Sequence, residues 1–120
     1  MQRTMSGSEP SGGDLFADVP SGAPDEAFDS LLAKPGLRIV RIVSNGQASP
    51  EGEWYDQPGD EWVVVLRGAA AILVEGEDTP HELRPGNYMH LPAHCRHRVA
   101  WTSADEPTVW LAVHIDPAEG

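Results

Sequence analysis

The spacing of apolar residues along the chain changes once, near residue 36. Ahead of that point the one periodic stretch is Pro24–Ala33, where Phe28, Leu31 and Leu32 stand at i, i+3 and i+4, the stripe of an amphipathic helix. Pro24 suits a first helical position, Asp25 and Glu26 suit the positive end of the helix dipole, and Gly36 follows as a terminator. The spacing therefore predicts a short N-terminal helix, marginal by itself and dependent on docking. Beyond residue 36 the chain reads as strands: Leu37–Ser44, Glu61–Leu66, Ala69–Glu75, His81–Arg84, Asn87–Leu91, Cys95–Thr102 and Thr108–Ile115, with a short strand end at Glu53–Gln57. Asn45-Gly46, Pro58-Gly59, Gly68, Gly76, Pro85-Gly86 and Pro92-Ala93-His94 divide them. Many short strands with no helix between them predict an all-β antiparallel barrel or sandwich.

These signals divide the 120 residues into three parts. Residues 1–13 are rich in Ser and Gly and read as a flexible tail. Residues 14–36 form an arm, carrying Leu15, Phe16 and Val19, followed by the helix. Residues 37–116 form the barrel, and the last residues fray. No internal repeat of fixed period is present. Phe28, Leu31, Leu32 and the arm give a barrel this small extra apolar surface to bury, and a homodimer is expected.

Composition narrows the partners. Eight basic against 19 acidic residues give a formal net charge of −11. No basic patch exists to neutralise phosphates, which argues against nucleic acid and against an anionic membrane surface. A single cysteine, Cys95, excludes a disulfide within the chain. The start MQRTMSGSEPSGG lacks the apolar core of a signal peptide, and no run approaches the roughly 20 residues of a membrane span. A cytoplasmic protein with a small-molecule ligand is the expectation.

The chemistry concentrates in Trp54–Gly68, WYDQPGDEWVVVLRG. A carboxylate, Glu61, stands at the mouth of an apolar strand, which calls for a metal, a substrate or a structural partner. Side chains two apart on a strand share a face. If Glu61 points inward, Val63 and Val65 follow it; if His97 does, Cys95, Val99 and Trp101 follow. Tyr55 and Gln57 share one face and Trp54 and Asp56 the other, and the Pro58-Gly59 turn leaves the choice open.

Two half-motifs carry a resemblance. Gly86-NYMHL-Pro92-Ala93-His94-Cys95-Arg96-His97 resembles the second motif of the cupin superfamily, G-x5-P-x-G-x2-H-x3-N, with His94 in place of Gly and Trp101 in place of Asn. Glu61, six residues and Gly68 resemble the second half of the first motif, G-x5-H-x-H-x(3 or 4)-E-x6-G. Its two histidines fall on Tyr55 and Gln57, or on Trp54 and Asp56 with the longer spacing. The resemblance spans roughly Leu37 to Ile115 and implies a small, single-domain, cupin-2-type double-stranded β-helix, a jelly-roll barrel. Cupins include metal dioxygenases, isomerases, sugar-modifying enzymes, storage proteins and ligand-binding regulatory domains.

In metal-binding cupins the motifs supply three His and one Glu, a set suited to a divalent transition metal such as Fe, Mn, Ni, Cu or Zn. Carried over residue by residue, the resemblance supplies Glu61 and His97, with Asp56 as a candidate third ligand and His94 as a fourth. Tyr55, Gln57, Cys95 and Trp101 are the candidate pocket residues. Each has a structural alternative: Asp56 suits a solvated turn, His94 an exposed corner, Cys95 a small buried side chain and Trp101 packing. Three functions remain open: a metal-dependent enzyme, a metal-free ligand binder or sensor, and a metal-free proton-transfer enzyme using His97 with Tyr55 or Glu61. Whether the chain is an enzyme is not decided by these residues.

Overall fold

The computed structural model describes residues 9–117. Most of the tail predicted over residues 1–13, and the frayed end beyond residue 117, lie outside the described residues. Eight strands follow in order: β1 Ala27–Lys34, β2 Leu37–Ser44, β3 Asp60–Arg67, β4 Ala70–Val74, β5 His81–Leu83, β6 Tyr88–Leu91, β7 His97–Thr102 and β8 Thr108–Ile115. They form an antiparallel five-stranded sheet, β1-β2-β8-β3-β6, and an antiparallel three-stranded sheet, β5-β4-β7. Alternation assigns the faces. Val40, Ile42, Val63, Trp110 and Leu91 point inward from the large sheet and Ile72 and Val99 from the small one. The buried cluster of Val63, Val65, Ile72, Leu83, Leu91, Trp110 and Ala112 lies between them.

The helix expected over 24–33 is instead strand β1, and no helix occurs among the described residues. Pro35-Gly36 has the order of a tight turn, with Gly36 at φ +80°, a backbone shape open to glycine at no steric cost. That turn folds β1 back on β2, pairing Lys34 with Leu37 and Ala27 with Val43. The apparent helical spacing arises from a bulge at Leu31: the register shifts between Ser30 and Leu32. Phe28 consequently faces inward opposite Ile42, whereas Leu32 pairs with Ile39 on the outer face. A ten-residue helix would leave its terminal backbone groups unpaired, whereas the edge of β2 supplies partners along the whole segment.

The expected closed barrel is also corrected: the two sheets remain separate. Residues 47–57 run beside β7 without becoming a strand. They meet it through the isolated Tyr55–His97 bridge and through bonds from Ser49 N–H to the Val99 carbonyl (2.9 Å) and from Thr102 Oγ1 to the Gln47 carbonyl (2.6 Å). Pro50, Gly52 and Pro58 interrupt any regular ladder there. Arg41, on the outer face of β2, draws the preceding arm inward. Its guanidinium donates to the carbonyls of Leu15 (3.2 Å) and Ala17 (2.5 Å) and pairs with Asp29 (2.7 Å).

Candidate functional site

Three adjacent strands bring three polar side chains into line on the inner face of the large sheet. Arg38 of β2 is registered opposite His114 of β8, and His114 opposite Glu61 of β3. From the facing sheet, His97 of β7 approaches the same carboxylate. Glu61 and His97 are only 8% and 5% exposed. His97 Nε2 lies 3.3 Å from Glu61 Oε1, and His114 Nε2 lies 3.6 Å from Oε2. These groups share a cavity of about 390 Å³ with Tyr55, Gln57 and an apolar lining that includes Val40, Ile42, Val63, Val99 and Trp110.

The hydrogen bonds define the state of His97. Its Nδ1 lies 2.8 Å from the Cys95 carbonyl oxygen. A carbonyl can only accept, so Nδ1 carries a proton. In the neutral ring Nε2 would then turn a lone pair toward the Glu61 carboxylate; in the imidazolium it turns a proton there. Burial alone would lower the pKa of His97, but the bond to Glu61, the bond to the Cys95 carbonyl and the charge of Glu61 outweigh it and raise the value above the ordinary 6.5.

A pH dependence follows. Folded His97 holds its proton more tightly than unfolded His, so protonation and folding favour one another. This contribution is fully present below the unfolded value of 6.5 and fades as pH rises through the higher folded value. The thermal midpoint is therefore expected to decline across that window, and Glu61→Gln is expected to flatten the decline. Thermal melts in a pH series, with wild type and Glu61→Gln side by side, check this; equal slopes in the two proteins would refute it.

The other expected site residues divide. Tyr55 and Gln57 line the cavity, resolving the face of the Trp54–Gln57 segment. Two backbone bonds decide it: Tyr55 N–H to the His97 carbonyl (2.7 Å) and His97 N–H to the Tyr55 carbonyl (3.1 Å). The Tyr55 ring lies against the His97 ring, with centroids 5.6 Å apart. Asp56 consequently points away and meets His94 Nδ1 at 2.8 Å, where both side chains are exposed. His94 has φ +59°, the left-handed shape that the motif's glycine would adopt. Its backbone N–H donates to the Gln57 carbonyl (2.7 Å), tying the corner to the Trp54–Gln57 segment.

Cys95 packs against the core and contributes its carbonyl to the site. Trp101 does not line the cavity. Ala71 pairs with Trp101 but Ile72 with Val99, so Ala100 is an extra residue on β7. That bulge breaks the alternation that would have placed Trp101 beside Val99. Glu26, Arg38 and His114 are the ionisable lining residues that sequence reasoning did not assign to the site. The available signal for His114 was its alternation with Trp110 and Ala112 along the last strand.

The metal set that the family resemblance implies is tested by this arrangement. Each imidazole meets a different oxygen of one carboxylate, so the three groups form a row with Glu61 in the middle. A tightly held transition metal needs several donors converging on one point. Among the described residues no group of three or more His, Cys, Asp or Glu side chains does so. Asp56 and His94, the additional ligand candidates, lie outside the cavity. The residues present do not fit a complete metal centre.

The comparisons with known proteins agree with the fold. The family model "Cupin domain" matches residues 40–114, from β2 to the end of β8. The chain belongs to the cupin family. This cupin is 64% identical to a protein of Ralstonia eutropha JMP134 whose structure bears the name "putative mannose-6-phosphate isomerase", with a TM-score of 0.88, covering 90% of this chain and 100% of that one. A conserved Streptococcus pyogenes protein of unknown function is 22% identical, with a TM-score of 0.72 and coverage of 99% and 98%. A cupin superfamily protein of Desulfitobacterium hafniense DCB-2 is 18% identical, with a TM-score of 0.65 and coverage of 78% and 80%. These last two likenesses concern the fold alone. No curated protein matches this cupin. No helix among its described residues is long and apolar enough to cross a membrane.

Proposed function

We propose that this cupin binds a small organic molecule between its two sheets, with the polar end of the ligand against Glu61, His97 and His114. The observation that carries this reading is that buried Glu61 and His97 meet His114 in one cavity of about 390 Å³ whose wall is largely apolar. That size falls within the range of ligand pockets, and a few polar groups on an apolar wall is their usual chemistry. The Glu61–His97 pair also has the means to give or take one proton from a bound molecule, and Tyr55 stands beside it.

A second reading, a metal-dependent enzyme, draws support from one detail: the Cys95 carbonyl fixes His97 so that Nε2 faces the cavity, as in many ligating histidines. The row of donors opposes it. The name of the Ralstonia relative suggests a phosphosugar, yet among the described residues the lining has one arginine and no lysine to meet a phosphate dianion. A thermal-shift screen of untagged protein separates the readings. Metabolites are expected to raise the midpoint while Fe, Mn, Ni, Cu and Zn leave it unchanged. Stabilisation by a transition metal that disappears in His97→Ala would overturn the metal-free reading, and mannose 6-phosphate belongs in the panel.

The reading includes a homodimer. Trp62, Val64, Leu111 and Val113 give the outer face of the large sheet an apolar, partly exposed surface, next to Tyr88 at 65% exposure. Light scattering at micromolar concentration is expected to give twice the chain mass, and a monomer would refute the dimer.

A further inference from the structure

Among the described residues, Arg38 is a cation whose side chain has no partner, in a protein rich in carboxylates. Other arginines are engaged: Arg41 with Asp29, Arg67 with Glu106, Arg84 with Glu82, Arg96 with Glu75, and Arg98 with the Ser49 carbonyl. The Arg38 guanidinium makes no hydrogen bond or ion pair among the described residues, although the chain carries 19 acidic side chains. Its position is specific. It lies in register with His114 and Glu61, and with Gln57 and His114 it lines both the main cavity and an adjoining recess of about 330 Å³. No other arginine or lysine among the described residues lines either space.

We propose that Arg38 is the docking point for the carboxylate of a small organic acid, whose apolar body extends over Val40, Ile42 and Trp110. The proposal rests on the small-ligand reading above and names the class of ligand. The guanidinium offers a planar fork that matches a carboxylate with two parallel hydrogen bonds. The surroundings select a monoanion. Asp60 and Asp116 line the recess and Glu26 and Glu61 line the cavity, none within ion-pair distance of Arg38. One arginine among four carboxylates is a poor host for a phosphate dianion, which carries nearly twice the charge. The Gln57 amide, on the same wall, is placed as a neutral donor for the same head group. Beyond it the strand offers Val40 and Ile42 to the cavity, and Glu26 at the far end is engaged by the Ser44 hydroxyl, so the wall open to the rest of the ligand is mainly apolar.

The test uses the full chain and isothermal titration with phenylacetate, octanoate, their primary amides, and acetate. The acids are expected to bind about tenfold to a hundredfold more tightly than the amides, the difference expected of a charge-assisted pair. Arg38→Gln, at an exposed position, is expected to abolish that preference, bringing acid and amide to similar affinities, and Arg38→Lys to restore part of it. Equal binding of acid and amide to wild type, or a preference unchanged in Arg38→Gln, overturns the role of Arg38 and leaves the pocket reading standing. A preference lost in Arg38→Gln but matched by acetate alone retains the anion site and overturns the apolar cavity. Absence of binding by every probe overturns both.

Discussion

Gly68→Ala is expected to be among the most damaging single-methyl changes in this protein. Gly68 turns β3 into β4 at φ +85°, where an L side chain is strained. A Cβ there would lie 2.7 Å from Thr108 Cα and 2.8 Å from the Pro107 carbonyl oxygen, and closer still to Thr108 Oγ1. The first two are backbone atoms of the adjoining strand and cannot rotate away. Thr108 is itself fixed: fully buried, its hydroxyl donates to the Ala69 carbonyl at 3.0 Å. Left-handed strain of about 1–2 kcal/mol and overpacking of about 1–3 kcal/mol add to a loss of roughly 2–5 kcal/mol, a large share of the stability typical of a domain this size, about 5–15 kcal/mol. Gly86→Ala is the control. Gly86 has φ +93°, but a Cβ added to it would meet no atom of a non-adjacent residue within 4 Å, so it carries the strain without the collision. Urea unfolding of both variants checks the argument, and equal losses would show that the contact with Thr108 is not responsible.

Trp110→Ala is expected to cost about 3–5 kcal/mol, the usual range for removing a large buried aromatic. Trp110 is 3% exposed and stands centrally on β8, opposite Ile42 of β2 and Val65 of β3. Its ring forms part of the cavity wall, and its Nε1–H donates to Ser44 Oγ at 3.1 Å. Ser44, fully buried, donates its own hydroxyl proton to the Glu26 carboxylate. Trp110→Phe keeps most of the apolar volume but removes the donor, and is expected to cost about 1–2 kcal/mol, the effect of one broken buried bond. Denaturant midpoints for the two variants separate packing from hydrogen bonding. A phenylalanine variant as unstable as the alanine one would show that the Trp110–Ser44–Glu26 chain, rather than volume, dominates. Because Trp110 also walls the pocket, Trp110→Ala should weaken ligand binding in any protein that remains folded.

Much of the fold was legible because strand signals are local. Leu37–Ser44 and Thr108–Ile115 appear as read, since each is an apolar run bounded by turn residues. Errors arose where a non-local pairing altered the period. The bulge at Leu31 gave β1 the spacing of a helix, and the bulge at Ala100 turned Trp101 out of the cavity. Neither insertion is visible until the partner strand is known, because a bulge is defined by two residues facing one.

The candidate site shows the same division. From the sequence alone came an all-β chain, the strands that carry Glu61 and His97, and the glycine that ends the first of them. The tertiary structure decided which groups meet. The Tyr55–His97 bridge turned Tyr55 and Gln57 inward and left Asp56 to His94 on the surface. The pairing of β2 with β8 and of β8 with β3 aligned Arg38, His114 and Glu61, residues 76 and 53 positions apart in the chain between neighbours. Strand alternation specifies a face but not a neighbour, and register across a sheet is set by pairing between distant segments; a site assembled from four strands therefore becomes visible only once those strands are paired.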